Sequence, residues 1–241
     1  MQPVKIVAYT DVGLRRKVNE DAFVVIELQN FVIIADGMGG GPAGKVAADI
    51  LTGTFLEILA DMPPLNGEQM VQAMKKGFAA GHENILHHIK KNPFDKGMGC
   101  AAVSFHIQDD FFVAAHVGDC RLYRLRGNDF KRVTTDHSFV QALVDEGVVS
   151  MEEAQNHPRK NVITRAVGID DALQIDILKG DTLPGDQFLL CSDGLSDMLD
   201  DATIKRMLLN GGGENDTVCE QLIEAANGAG GKDNISVALV R

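Results

Sequence analysis

Six carboxylates occupy positions where short apolar runs begin or end. Asp36 closes the run at 31–35 and is followed by GMGGG, and Asp193 follows the run at 188–191 and precedes Gly194. Asp119 follows Gly118 after the run at 111–117, and Asp233 lies in GKDN just ahead of the run at 235–240. Glu20 and Asp21 stand in NED ahead of the run at 23–26. Taken singly, Asp-Gly after a strand is an ordinary turn signal. That reading weakens at Asp36 and Asp193, because each is followed by a helical pattern and not by a second strand. If the strand ends converge, several carboxylates share one cleft, where they repel one another and resist desolvation. Divalent cations resolve the conflict, and hard oxygen donors suit Mg2+ or Mn2+, whereas zinc prefers Cys and His. Glycines beside the aspartates let the backbone approach, so that a carbonyl can act as a further ligand. Arg16 lies four residues before Glu20. Cations would repel it unless an anion sat between, and a phosphate fits because a planar guanidinium grips two oxygens. The competing reading of Arg16 is a surface or salt-bridged arginine.

The elements that must carry these residues are legible as alternating apolar segments. Runs at 23–26, 31–35, 101–107, 111–117, 188–191 and 235–240 are rich in Val, Ile and Phe and bounded by Gly, Asp or Asn, which predicts strands. The links 27–30 and 108–110 are short enough only for antiparallel hairpins, and 122–125 with 130–133 reads the same way. Helical periodicity predicts long helices over 45–61 and 68–91, separated by Pro63 and Pro64, and a further pair over 202–209 and 215–226, split by the glycines at 211–213. Residues 135–168 are poor in apolar runs, offer two weak helical stretches (139–146 and 151–156), and read as an inserted flap. No repeat or linker interrupts the chain. One domain over residues 1–241 is expected, of α+β class, with helices packed on antiparallel sheet.

Composition narrows the function. The 241 residues carry a net charge of −11, with 45% hydrophobic and 24% charged residues, values that exclude a disordered chain or a disulfide scaffold. The acidity argues against a nucleic-acid partner, which requires a basic face. The four cysteines (Cys100, Cys120, Cys191 and Cys219) form no CxxC or CxxH, and the opening MQPVKIVAYTDVG holds no signal-like apolar stretch. No apolar run approaches the roughly 20 residues of a membrane helix. A cytoplasmic protein without membrane contact is expected. Residues 39–45 read GGGPAGK and match G-x-x-x-x-G-K, but residue 46 is Val where a P-loop requires Ser or Thr. Pro42 also defeats a dinucleotide-binding G-x-G-x-x-G.

Eight segments then stand in one order: DVGLRRKVNED (11–21), IADGMGG (34–40), GMG (97–99), HVGDCR (116–121), DHS (136–138), RAVG (165–168), CSDGL (191–195) and GKDN (231–234). Together they resemble the type 2C (PPM family) metal-dependent Ser/Thr protein phosphatases in their compact bacterial form. The resemblance spans nearly the whole chain and implies a four-layer α-β-β-α sandwich of two antiparallel sheets flanked by helix pairs. It implies two Mn2+ or Mg2+ ions bridged by Asp36, with the Gly37 carbonyl on one and Asp193 and Asp233 on the other. Glu20 and Asp21 would hold metal-bound waters, Asp119 with Asp193 a third ion, and Arg16 the substrate phosphate. Arg16, Asp36 and Asp193 are thus the expected catalytic residues. The implied reaction is hydrolysis of phospho-Ser and phospho-Thr in phosphoproteins by a metal-bridging water or hydroxide, without a phosphoenzyme. The implied partners are substrates of a cognate Ser/Thr kinase, met by a monomer. Three departures stand out: Met38 where many eukaryotic members have His, Gly41 where bacterial members often have His, and Cys100 in place of a common Thr. They leave the expected ligands intact and single out no general acid. His116 and His137 read as structural histidines, and His82, His87 and His88 receive no role. Two alternatives are an inactive relative that binds phosphoproteins and another two-metal hydrolase such as a nuclease; a complete ligand set disfavours the first and the acidic surface the second.

Overall fold

The computed structural model describes residues 4–40, 42–169, 172–211 and 215–241. Gly41 and the glycines at 212–213 lie outside the described residues. Two five-stranded sheets form the centre. One contains, in spatial order, β1 (Ile6–Asp11), β10 (Ile235–Val240), β9 (Gln187–Cys191), β6 (Arg121–Arg126) and β7 (Asp129–Arg132). The other contains β2 (Ala22–Ile26), β3 (Phe31–Met38), β4 (Gly99–Gln108), β5 (Phe111–Val117) and β8 (Asp176–Asp181). Every neighbouring pair is antiparallel.

Period-two burial explains the layering. In β3, Phe31, Ile33 and Ala35 face α1 (Pro42–Leu59) and α2 (Gly67–Lys91), whereas Val32 and Ile34 face the second sheet. In β10, Ile235, Val237 and Leu239 face α6 (Asp201–Asn210) and α7 (Asn215–Gly228), whereas Ala238 and Val240 turn inward. Strands apolar on both faces read as continuous runs, and burying both faces requires a helix layer outside each sheet. The result is the α-β-β-α sandwich. Phe105, Phe112 and Phe188 interlock between the sheets, with centroids 4.7–5.6 Å apart. Phe55 of α1 stacks on Phe31 and meets Phe78 of α2 edge-on.

The predicted hairpins and long helices form, with ends shifted by a few residues. Asn66 starts α2 through a reciprocal capping box with Gln69, and Asp200 caps α6. All four cysteines are buried and free. Two strands are not among the predicted runs. β8 (DILKGD) is an edge strand, where polar residues are tolerated, and β1 (IVAYTD) is only half-buried. A third difference matters for the site: β3 does not end at residue 35. It continues through Asp36 and Gly37 to Met38, paired with Ala101, Cys100 and Gly99 of β4, so ladder hydrogen bonds hold the Asp36 backbone.

Residues 135–168 form the flap between β7 and β8. They contain α3 (Phe139–Asp145), capped by Ser138, and α4 (Met151–Gln155), capped by Ser150. The flap closes on itself where Ser138 pairs with Ile163, and it docks on β4 where Val167 pairs with Cys100. Among the described residues, no helix is long and apolar enough to cross a membrane.

Candidate metal centre

Strand ends from both sheets deliver the six acids to one cleft. Asp36 comes from β3, Asp119 from the turn after β5, and Asp233 from the turn into β10. Asp193 opens α5 (Asp193–Ser196) directly after β9. Their charges act on one another. Burial first, then repulsion by Asp21, Asp193, Asp119 and Asp233, holds Asp36 well above the usual carboxylate range. Burial, followed by Asp119, Asp197, Asp233 and Asp21, does the same to Asp193. Burial and Asp136 push Asp119 up to about 7.

Of the six, Glu20 and Asp21 are the least exposed, at 7% and 2% of the residue surface. Asp21 Oδ2 accepts from Ser192 Oγ (2.8 Å) and Ser236 Oγ (2.6 Å), while its Oδ1 is buried with no partner. Burial raises its pKa to about 6 against those hydrogen bonds. Glu20 Oε1 is likewise buried and unpartnered, beside Gly44 in the first turn of α1. Burial raises the Glu20 pKa, and Arg16 and the Gly44 amide pull it down. Buried acceptors aimed at a shared cleft and left without donors are what a hydrated cation satisfies.

Asn234 organises the rim. Its Oδ1 accepts from the Glu20 amide (2.8 Å), and its Nδ2 donates to the carbonyls of Val12 (2.9 Å) and Val18 (3.0 Å). The loop between β1 and β2 is thereby fastened to the 231–234 turn, and the Leu14 amide donates to the Gly231 carbonyl at 2.8 Å. This fastening brings Arg16 to the site: Nη2 donates to Asp233 Oδ2 at 2.6 Å, and Nη1 lies 3.9 Å from Glu20 Oε2. The Arg16 side chain remains 47% exposed, so it can turn towards a ligand. Gly13 requires its positive φ of 77°, and a Cβ there would strike the Asp233 carbonyl.

Beyond Asp119 and Asp193 opens a cavity of about 840 Å³ under the flap. Arg121 grips Asp136 with Nε and Nη2 (3.1 and 2.7 Å), Arg132 adds 3.1 Å to the same carboxylate, and Lys160 of the flap pairs with Asp197 at 2.7 Å. These ion pairs brace the flap against the acidic edge.

All seven positions marked from sequence as ligands therefore sit on the segments that meet at the cleft, and Arg16 stands at its rim. Asn234 and Ser192 lie inside the segments 231–234 and 191–195, and Ser236 two residues beyond the first, yet nothing local in the sequence signals their roles. Their work is to hold Asp21 and the Arg16 loop, and only contacts across more than 170 positions reveal it. Asp197 and Lys160 carry no local signal at all.

The donor set fits hard divalent cations: every side-chain group is a carboxylate, and the Gly37 carbonyl lies beside Asp36. Among the described residues, no three His, Cys, Asp or Glu side chains group closely enough to hold an ion alone. An ion here would complete its shell with carbonyl oxygen and water, as Mg2+ does. An oxygen-lined, cation-seeking cleft edged by one guanidinium defines a metal-dependent hydrolase for an anionic substrate.

Comparison with known proteins specifies the kind. The family model for protein phosphatase 2C matches residues 15–225. The serine/threonine phosphatase stp of Listeria innocua is 34% identical over 238 residues, covering 96% of this chain and 93% of that protein. The serine/threonine phosphatase of S. agalactiae superposes with a TM-score of 0.92 at 33% identity, covering 98% of both chains. The catalytic domain of the phosphatase PstP in complex with two manganese ions superposes with a TM-score of 0.88 at 32% identity, covering 98% of this chain and 97% of that one. The chain belongs to the protein phosphatase 2C family, the metal-dependent serine/threonine protein phosphatases.

Proposed function

We propose that this phosphoprotein phosphatase works through a centre of two Mn2+ or Mg2+ ions, with room for a third. Asp36 and the Gly37 carbonyl would hold one ion, Asp36, Asp193 and Asp233 the second, and Asp119 with Asp193 the third. Glu20 and Asp21 would orient coordinated water through the oxygens that the protein leaves bare. The ions, when bound, supply an activated water nucleophile and neutralise phosphoryl charge. Arg16 binds and orients the phosphate, because its fork stands exposed at the cleft rim. Asn234 keeps Arg16 in register with Asp233.

The observation that carries this reading is the convergence of six carboxylates, two with buried unpartnered oxygens, beside one exposed guanidinium. The chain would act as a single cytoplasmic catalytic domain over residues 1–241, as a monomer, on phosphoproteins made by a cognate Ser/Thr kinase. Nucleic acid would be repelled by the net charge of −11. The test is Mn2+-dependent release of phosphate from p-nitrophenyl phosphate and from phospho-Ser and phospho-Thr peptides. EDTA is expected to abolish it, and Asp193→Asn to lower kcat on the order of 10³-fold, the equivalent of several kcal/mol of transition-state stabilisation. Undiminished turnover in EDTA would overturn the reading, and phosphopeptide binding without turnover would establish the inactive alternative.

A further inference from the structure

His137 sits at the root of the flap and is 7% exposed. Its backbone amide donates to the Gly118 carbonyl at 2.8 Å, and the Gly118 amide donates back to His137 Nδ1 at 3.0 Å. Both backbone polar groups of Gly118, which belong to the two peptide units flanking it, are thus held by one residue. The Thr164 amide donates to the His137 carbonyl at 2.7 Å, so the returning end of the flap closes on the same point. Because Gly118 donates to Nδ1, the neutral ring must carry its proton on Nε2. Nε2 lies 3.2 Å from both Asp176 Oδ2 and Arg165 Nη1, and Arg165 Nη1 donates to Asp176 Oδ1 at 3.0 Å; of these two neighbours only the carboxylate can accept, so Asp176 takes that proton. Asp176 opens β8 directly opposite His116 in register, and the His116 ring packs on His137 with centroids 4.7 Å apart. The ring is therefore fixed in tautomer, orientation and position.

What the clasp fixes is the turn that carries Asp119. Gly118 has φ of 99°, and a Cβ there would strike Ala101 of β4, so the turn has one tight conformation. Asp119 follows immediately and faces the cavity beside Asp193. Building on the metal-centre reading above, we propose that His137 is a positioning residue that couples the flap root to Asp119 and thereby sets the affinity of the divalent cation assigned to Asp119 and Asp193. The ring touches neither substrate nor ion. It acts through the Gly118 peptide.

Two variants of similar size and polarity separate the functions of the ring. His137→Asn keeps an acceptor near the Nδ1 position and loses the reach to Asp176, while His137→Gln reaches towards Asp176 and offers Gly118 no acceptor. Mn2+ alone is titrated into the full chain and followed by electron paramagnetic resonance, with Asp119→Asn as reference. Gly118 amide hydrogen exchange is read on the metal-free protein by NMR. His137→Gln is expected to weaken about tenfold the Mn2+ that Asp119→Asn removes, leave the other ions unchanged, and speed Gly118 exchange about tenfold or more. His137→Asn is expected to stay within about threefold of the unsubstituted protein on both readouts. Equal behaviour of the two variants, or binding of only two Mn2+ by the unsubstituted protein, overturns this proposal while the phosphatase reading stands. Failure of the unsubstituted protein to bind any Mn2+ defeats both.

Discussion

Asp21 engages two serine hydroxyls with one oxygen and keeps the other bare, and Glu20 keeps an oxygen bare beside the α1 amides. In an apolar interior such acceptors would cost about 1–3 kcal/mol each, so their retention marks them as ligand groups. Arg16 is the complementary case, an exposed cation drawn to Asp233 at 2.6 Å. With a cation held by Asp233 that pairing would weaken, and the guanidinium fork would be free to take phosphate. Arg16→Ala should therefore lower kcat/KM for phosphopeptides about 10- to 100-fold, the loss of a charge-assisted bidentate contact. Arg16→Lys should recover only part of this, because a point charge cannot reproduce the fork. Steady-state kinetics on a phospho-Thr peptide at saturating Mn2+ checks both.

At the scale of elements, close backbone approaches align the acids. A Cβ on Gly37 would strike the Gly44 carbonyl, so β3 and α1 meet only because position 37 is bare; a Cβ on Gly194 would strike the Asn234 carbonyl, which joins α5 to the turn before β10. Gly37→Ala should cost about 1–3 kcal/mol of stability through overpacking and displace Glu20 and Asp36, with a lowered melting temperature and weakened Mn2+ binding measured together. The buried Asn234 should behave differently. Asn234→Ala removes three hydrogen bonds that tie the Arg16 loop to the rim, so kcat/KM should fall even where calorimetry shows the bulk of the fold intact.

Across the whole molecule, the carboxylate cluster couples stability to pH and to metal. A carboxyl whose folded pKa exceeds its unfolded value of about 3.9 binds its proton more tightly when folded. Its stabilising effect is complete below the unfolded pKa and is lost as pH rises through the folded one. With Asp21 raised to about 6 and Asp119 to about 7, the metal-free protein should lose melting temperature between about pH 4 and pH 8. Metal should oppose that loss, because cations replace protons at the same oxygens and bind only the assembled site. Scanning calorimetry from pH 5 to 8, with EDTA and with Mn2+, should show a falling melting temperature in the first series and a larger Mn2+-induced rise at the higher pH.

The sequence by itself determined the main strands and helices and singled out the acids at strand ends as candidate ligands, because both are local signals. Strands buried on two faces announce themselves as predominantly apolar runs at 31–35, 111–117 and 235–240, and glycine beside aspartate at a strand end marks a close approach. Eight ordered motifs then made the family legible. Tertiary structure alone decided the rest. The edge strands β1 and β8 hold their places by pairing with β10 and β5. Asp36 sits within β3 because β4 supplies partners as far as Gly99. Asn234, Ser192, Ser236 and His137 act on residues that are distant in the chain or joined only through the flap root, and no local spacing encodes such contacts. The physical reason is the range of the forces: burial patterns repeat every few residues, whereas the hydrogen bonds that aim a carboxylate exist only after the two sheets and the flap have closed around it.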